Sequence, residues 1–118
     1  MLLSENLLRN NILGYKNNAM KKIVFVGSGA IGTAIGNVLA RKGMYDVTLL
    51  SIEQEVVESI NNDRLNITYF PNVKLSRTLK ASSDINILGD ADVIFMAIPS
   101  TAVVDYLFEN KKYLNPRA

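Results

Sequence analysis

The chain has 118 residues, of which 48% are hydrophobic, and its 13 Lys and Arg residues against 11 Asp and Glu residues give a formal net charge of +2. This length and composition predict one globular domain with a buried core, while the small, scattered charge argues against a nucleic-acid-binding surface. Because the chain contains no Cys and no His, thiol nucleophiles, disulfides, zinc-thiolate sites and imidazole-dependent triads are excluded; we expect no metal site, and a cytoplasmic location fits.

Residues 1–19 predict a short, partly helical extension that precedes the domain. Their apolar runs are short and are interrupted by Glu5, Arg9 and several asparagines. A signal peptide needs a continuous apolar core, and a membrane span needs about 18 apolar residues, so we expect neither. The domain is predicted to begin at Met20 and to occupy residues 20–118. A disordered tail and a mis-assigned start codon are the alternatives for the extension.

Strand and helix patterns alternate in the first half of the domain. Residues 23–26 are β-branched and aromatic, as in a buried parallel strand. Residues 31–41 have apolar side chains at helical spacing and end in cations followed by Gly43. Residues 47–50 then predict a second strand, and residues 53–60 predict a second helix with apolar positions on one face.

The next segment is irregular and leads into shorter elements. Residues 61–75 contain the turn-forming residues Asn, Asp and Pro. Residues 78–82 predict a short strand. Ser83 and Asp84 then offer an N-cap for a brief helix that runs through Leu88.

The most apolar strand of the chain is predicted at residues 93–98, where Pro99 stops it. Ser100 is then placed to cap a last helix. Strands that alternate with helices at this spacing predict an α/β fold, in which helices cover both faces of an open, doubly wound, mainly parallel sheet.

Gly27, Gly29 and Gly32 form a G-x-G-x-x-G motif between the first strand and the first helix. In a nucleotide site, the first glycine permits a tight turn, the second lets the backbone approach a pyrophosphate, and the third lets the helix pack against the strand. The unpaired N–H groups at the start of the helix then bind the phosphates. The motif alone is weak evidence, but its place in a βαβ unit favours a Rossmann-type dinucleotide site. S-adenosylmethionine, FAD and a turn that binds nothing are the alternatives.

The end of the second strand bears on the choice between NAD and NADP. Ser51 and Glu53 flank the position about 20 residues beyond the glycines, where NAD sites place an acidic residue for the ribose 2′-hydroxyl. If the Glu53 carboxylate reaches the ribose, NAD is favoured. If Glu53 instead serves the first turn of its own helix, Ser51 lies at the 2′ position and a 2′-phosphate is not repelled. The sequence therefore leaves the choice between NAD and NADP open.

Three further segments, read in order with the glycines, resemble the N-terminal domain of NAD(P)-dependent glycerol-3-phosphate dehydrogenase. They are the asparagine–aromatic–proline segment NITYFPNVKL at residues 66–75, the Ser-Asp helix start at residues 83–84, and ADVIFMAIPS at residues 91–100. The resemblance covers about residues 21–118. It implies reversible hydride transfer between a nicotinamide cofactor, NAD or NADP, and dihydroxyacetone phosphate, which gives sn-glycerol 3-phosphate.

The resemblance also implies which residues contact the cofactor. Family members often carry Ser and an aromatic residue at the positions of Ala30 and Ile31, a cation near the adenosine ribose at Ile52, and an aromatic contact at Tyr69. The absence of the cation lowers the expectation of strict NADP use, and Tyr69 has the alternative of a half-buried loop aromatic. The predicted cofactor-binding residues are Gly27, Ser28, Gly29, Ala30, Ile31, Gly32, Ser51, Ile52, Glu53, Tyr69, Pro99 and Ser100.

The two essential lysines of the family have no counterpart here, because Lys111 and Lys112 lie at a predicted helix end and match neither. The resemblance implies that a helical substrate domain would follow, and we expect that domain to be absent from this chain. We therefore expect a truncated Rossmann domain that has no catalytic residue of its own and is inactive alone. An uncovered sheet edge predicts self-association. The alternatives are a non-enzymatic NAD(P)-binding module and the cofactor domain of a ketopantoate-reductase or 6-phosphogluconate-type dehydrogenase.

Overall fold

A computed structural model describes residues 20–118, so the predicted extension at residues 1–19 lies outside the described residues. The strands are β1 (Lys21–Val26), β2 (Tyr45–Leu50), β3 (Lys80–Ser82) and β4 (Val93–Met96). They form one sheet in the order β3-β2-β1-β4, and all three neighbouring pairs are parallel. Because the chain adds strands first on one side of β1 and then on the other, the predicted doubly wound parallel sheet is confirmed.

In the described part of the chain, three α-helices connect or follow these strands. They are α1 (Ala30–Arg41), α2 (Gln54–Glu58) and α3 (Ser100–Asn110). The second continues as a π-helical turn, Ser59–Asp63, which ends at Arg64 in the left-handed conformation. Two 3₁₀-helices, Ile85–Asp90 and Lys111–Tyr113, complete the described elements. Within residues 20–118, each helix is too short or too polar to cross a membrane.

Two strand boundaries differ from the prediction. The third strand begins at Lys80, two residues later than expected, because the Thr78 hydroxyl donates a hydrogen bond to the Ala40 carbonyl at 3.1 Å and holds this residue in a turn. The fourth strand ends at Met96, before the predicted end at residue 98. Both predicted strands therefore exist but are shorter.

The two predicted helix caps have different outcomes. Asp84 does cap, since its carboxylate accepts a hydrogen bond from the Asn86 N–H at 3.0 Å, although the helix that it opens is of the 3₁₀ type. The prediction for Ser100 was wrong. Pro99 holds the cap position without a capping side-chain bond, and Ser100 is the first helical residue. The extended backbone of Pro99 leads directly into the helix, so no place is left for a separate cap.

The core consists of two clusters, one on each face of the sheet. Phe25 and Leu49 pack with α1 and α2 on one face, while Val26 and Leu50 pack with Leu88 on the other. This arrangement confirms the predicted alternation of helices on both faces. Because parallel strands end at the same edge of a sheet, the ends of β1, β2 and β4 come together where the strand order reverses.

Candidate cofactor site

A cleft of about 640 Å³ opens at the carboxyl ends of β1, β2 and β4. This is the point where open α/β sheets bind ligands, because the loops that leave neighbouring strands here run in opposite directions. The lining residues are Val26, Gly27, Ser28, Gly29, Leu50, Ser51, Ile52, Glu53, Tyr69, Ser83, Ile85, Ala97, Ile98, Pro99, Tyr106 and Asn110.

The turn from β1 into α1 leaves little or no room for a side chain at two of its glycines. Gly27 has a φ of +114°, and a Cβ there would lie 2.5 Å from the carbonyl oxygen of Ala97. A Cβ on Gly32 would lie 3.0 Å from both the Ala97 Cβ and the Gly27 carbonyl oxygen. These two glycines therefore let the chain turn sharply and let α1 approach the strand ends, as the sequence predicts for them.

Gly29 differs from the other two glycines because its surroundings are open. It precedes the first residue of α1, and a Cβ there would meet no atom within 4 Å beyond its chain neighbours. The N–H groups of the first helical turn have no acceptor within the helix, and the helix dipole makes this end positive. An anionic group such as a pyrophosphate therefore fits beside Gly29.

Two buried serines join the glycine turn to the end of β2. The Ser28 hydroxyl donates to the Ser51 hydroxyl oxygen at 2.6 Å, and the same oxygen accepts a hydrogen bond from the Glu53 N–H at 3.0 Å. The Gly27 N–H also donates to the Leu50 carbonyl at 2.8 Å. Ser51 therefore has a structural role, which is to hold the turn against the second strand.

Glu53 lies at the start of α2, where the sequence leaves two roles open. The first turn is served by its carbonyl oxygen, which accepts hydrogen bonds from the N–H groups of Val56 and Val57. Its side chain makes no capping hydrogen bond, is exposed and lines the cleft. Beside it, Ile52 is 100% exposed. Glu53 is thus a cleft-lining residue whose side chain does not cap its own helix.

Tyr69 reaches the cleft from the irregular segment after α2. The N–H groups of Thr68 and Tyr69 both donate to the side-chain oxygen of Asn66 at 3.2 Å, which fixes a tight turn. Asn66 itself is fully buried. The turn leaves the Tyr69 ring partly exposed at the cleft, so this aromatic residue lies where a bound cofactor could contact it.

Comparison with known proteins places this architecture in a family. Residues 22–118 match the family model described as NAD-dependent glycerol-3-phosphate dehydrogenase N-terminus. The chain belongs to this family. A glycerol-3-phosphate dehydrogenase [NAD(P)+] from Leptospira biflexa is 42% identical over 97 residues, which are 81% of this chain and 29% of the relative.

Solved structures of the same family have the same fold. Glycerol-3-phosphate dehydrogenase from Saccharomyces cerevisiae has a TM-score of 0.75 at 27% identity, over 84% of this chain and 32% of that one. The Coxiella burnetii enzyme has a TM-score of 0.73 at 32% identity, over 84% and 30% of the two chains. The chain therefore spans less than a third of the length of these relatives, and the predicted resemblance to the family is confirmed.

The family fold brings most of the predicted cofactor residues together, but not all of them. Ala30, Ile31, Gly32 and Ser100 do not line the cleft. Ala30, Ile31 and Ser100 are exposed elsewhere, while Gly32 is buried against the strand ends. At the first turn of α1, side chains point outward, so only the backbone N–H groups of Ala30 and Ile31 remain candidates for phosphate contacts.

Several residues that line the cleft were not among the cofactor-binding residues predicted from the sequence. Ser83 and Ala97 directly follow β3 and β4, and the rule that ligands bind at strand ends could have identified them. Tyr106 and Asn110 come from α3, and nothing in their local pattern distinguishes them. Burial raises the pKa of Tyr106. Within residues 20–118, the Asp and Glu side chains form no group that could hold a metal ion.

Proposed function

We propose that the cleft binds a nicotinamide dinucleotide, and that the chain is the cofactor domain of an enzyme that interconverts dihydroxyacetone phosphate and sn-glycerol 3-phosphate. The observation that carries the proposal is the open side of Gly29 at the start of α1, at the point where the strand order reverses. Membership of the glycerol-3-phosphate dehydrogenase family supports the substrate pair. The bound nicotinamide would supply the hydride chemistry.

The predicted residues would hold different parts of the cofactor. The backbone of the glycine turn, from Gly27 to Gly32, would bind the pyrophosphate. Glu53 would accept a hydrogen bond from the adenosine ribose, with Ile52 against the adenosine and Ser51 holding the turn in place. Tyr69 and Pro99, which both line the cleft, would contact the nicotinamide half.

We further propose that the domain prefers NAD(H) to NADP(H). A carboxylate at the cleft accepts hydrogen bonds from a ribose 2′-hydroxyl but repels a 2′-phosphate. The cleft-lining residues within 20–118 include Glu53 and no Lys or Arg that could offset its charge. Calorimetric titration of the chain with NADH and with NADPH tests both proposals. Tighter binding of NADH supports them, equal binding removes the preference, and no binding to the folded chain overturns the cofactor site.

We propose that this chain has no dehydrogenase activity by itself, and that the remainder of the family's length supplies the substrate-binding and catalytic groups. The cleft-lining residues in the described part of the chain offer no cationic side chain for a phosphorylated substrate. This observation also keeps a non-enzymatic NAD(P)-binding module as the second candidate. An assay of dihydroxyacetone phosphate reduction, on protein that binds NADH, tests the absence of activity. Reduction of dihydroxyacetone phosphate by this chain would overturn both the proposed inactivity and the non-enzymatic candidate.

We also propose that residues 20–118 belong to the cofactor domain and that residues 1–19 are an extension, since the family match begins at residue 22. An exposed apolar edge supports self-association. Val93 on the edge strand β4 is 45% exposed, and Val104 on α3 is 75% exposed.

The cytoplasm is the proposed compartment, because a chain with no Cys fits a reducing environment.

A further inference from the structure

Asn66 lies fully buried beneath the cleft and uses its whole side-chain amide in hydrogen bonds. Its Nδ2 donates to the Ser28 carbonyl oxygen and to the Thr33 hydroxyl oxygen, both at 2.9 Å. Its Oδ1 accepts hydrogen bonds from the N–H groups of Thr68 and Tyr69, both at 3.2 Å. Asn66 is 0% exposed, so these four bonds are shielded from water and join two segments that are distant in sequence.

The bond to the Ser28 carbonyl has a consequence for the next peptide group. In a trans peptide, the C=O of one residue and the N–H of the next lie in one plane and point in opposite directions. The Ser28 carbonyl is held from one side by Asn66 and by the Thr33 hydroxyl, which donates to it at 3.1 Å. The Gly29 N–H must therefore point away from Asn66, and a Cβ added at Gly29 would meet no atom within 4 Å beyond its chain neighbours, so the surroundings of Gly29 are open.

We propose that Asn66 is a positioning residue that orients the Gly29 N–H toward the cofactor pyrophosphate and places Tyr69 at the same cleft. This inference rests on the proposed function. Asn66 makes no contact with the cofactor itself, and it acts through the Ser28–Gly29 peptide on one side and through the Thr68–Tyr69 turn on the other.

Asn66→Asp separates these two actions. A carboxylate keeps both bonds from the backbone N–H groups of Thr68 and Tyr69, but it cannot donate to Ser28 or Thr33, and it repels the Ser28 carbonyl. Asn61→Asp is the matched control. The Asn61 amide exchanges two hydrogen bonds with the backbone of Ala81, both at 2.9 Å, and Asn61 does not line the cleft.

The binding experiment titrates the wild-type chain and both variants with NADH, ADP and adenosine, below the unfolding temperature of each. We expect Asn66→Asp to raise the Kd for NADH and ADP at least tenfold and the Kd for adenosine less than twofold, since adenosine has no pyrophosphate. Asn61→Asp should change all three less than twofold. An equal loss for all three ligands, an equal loss in both variants, or no loss in Asn66→Asp would overturn the positioning role.

Amide hydrogen exchange of the unliganded proteins tests the same role without cofactor. We expect the Thr33 amide, which donates to Gly29, to exchange at least tenfold faster in Asn66→Asp relative to the amides of β1, while the Thr68 and Tyr69 amides keep their relative rates. If the wild-type chain binds no NADH, the proposed function fails, and unchanged Thr33 exchange would still overturn the positioning role. If Asn66→Asp does not fold, Thr33→Val replaces it, because it also removes a donor to the Ser28 carbonyl.

Discussion

The α-carbon of Gly27 lies so close to Ala97 that a methyl group on it would sit 2.5 Å from the Ala97 carbonyl oxygen. The two residues follow β1 and β4, which are the strands on either side of the point where the strand order reverses. The Ala97 N–H also donates to the Val26 carbonyl at 2.9 Å. This backbone-to-backbone approach closes the floor of the cleft and leaves no space for a side chain.

Gly27→Ala should therefore destabilise the domain strongly. The substitution combines a positive φ, which strains any residue with a Cβ, with an overlap against backbone that cannot rotate away. We expect a loss of about 3 kcal/mol in the free energy of unfolding, measured by urea denaturation of the wild-type chain and the variant. A loss below about 1 kcal/mol would mean that the approach to Ala97 is less close than described.

Gly29→Ala should leave the stability of the domain almost unchanged but weaken cofactor binding. Gly29 has a φ of −74°, which Ala adopts without strain, and no atom beyond its chain neighbours lies within 4 Å of the added Cβ. We expect the free energy of unfolding to change by less than about 0.5 kcal/mol. The Kd for NADH should rise at least tenfold, because the methyl group occupies the space beside the helix start where the pyrophosphate would lie. Calorimetric titration checks this, and unchanged binding would place the phosphates elsewhere.

The contrast between these glycines shows which parts of the site can be predicted from sequence. The strand pattern, the turn and the helix start are local, so the motif at residues 27–32 predicts the fold and the position of the cleft. The depth of the cleft depends on packing between distant elements. Tyr106 and Asn110 line it from α3, and periodicity within one helix carries no information about how that helix packs against the sheet.

The segment after α2 gives a second example. The sequence predicts an ordinary helix and then a loop, whereas the structure has a π-helical turn at Ser59–Asp63. Within that turn, Asn61 bonds to the backbone of Ala81, 20 residues away. Asn66 bonds to Ser28, 38 residues away. Hydrogen bonds from side-chain amides to distant backbone groups stabilise the conformation of this segment. Local patterns of turn residues do not predict such long-range bonds.

Tyr106 should make the domain lose stability at alkaline pH. Burial raises its pKa above 10.0, so the folded state holds the phenolic proton more tightly than the unfolded state does. The contribution of the buried, protonated Tyr106 to the free energy of unfolding is therefore fully present below pH 10. It is lost as the pH rises through the pKa of the folded state. Urea denaturation at pH 9 and pH 11 should show a smaller decrease for Tyr106→Phe than for the wild-type chain. Equal decreases would contradict the burial of this hydroxyl.

Charged substitutions at the exposed edge should reduce self-association. Val93 lies on the edge strand and Val104 on α3, and charges on an uncovered edge prevent pairing between strands of two molecules. We expect Val93→Lys/Val104→Lys to lower the sedimentation-average mass at high concentration. Val38→Lys is the control, because Val38 is also exposed, at 56%, but lies on α1 and not on the edge strand. A monomeric wild-type chain, or equal effects of both variants, would contradict self-association through this edge.

Glu53→Gln should weaken the discrimination between the two nicotinamide cofactors. The amide keeps the size of the side chain but removes the negative charge that repels a 2′-phosphate, and it is a weaker acceptor for a ribose hydroxyl. We expect the Kd for NADPH to fall and the Kd for NADH to rise, so that their ratio changes about tenfold, as expected for one charge-assisted hydrogen bond. The measurement is calorimetric titration with both cofactors.

The matched control for this variant is Glu55→Gln. Glu55 lies in the first turn of the same helix and is exposed, but it does not line the cleft. Removing its charge changes the net charge of the chain and the dipole interaction of α2 as Glu53→Gln does, so a general electrostatic effect would appear in both variants. A ratio that changes equally in both would assign the preference to overall charge, whereas a change confined to Glu53→Gln assigns it to a carboxylate at the ribose.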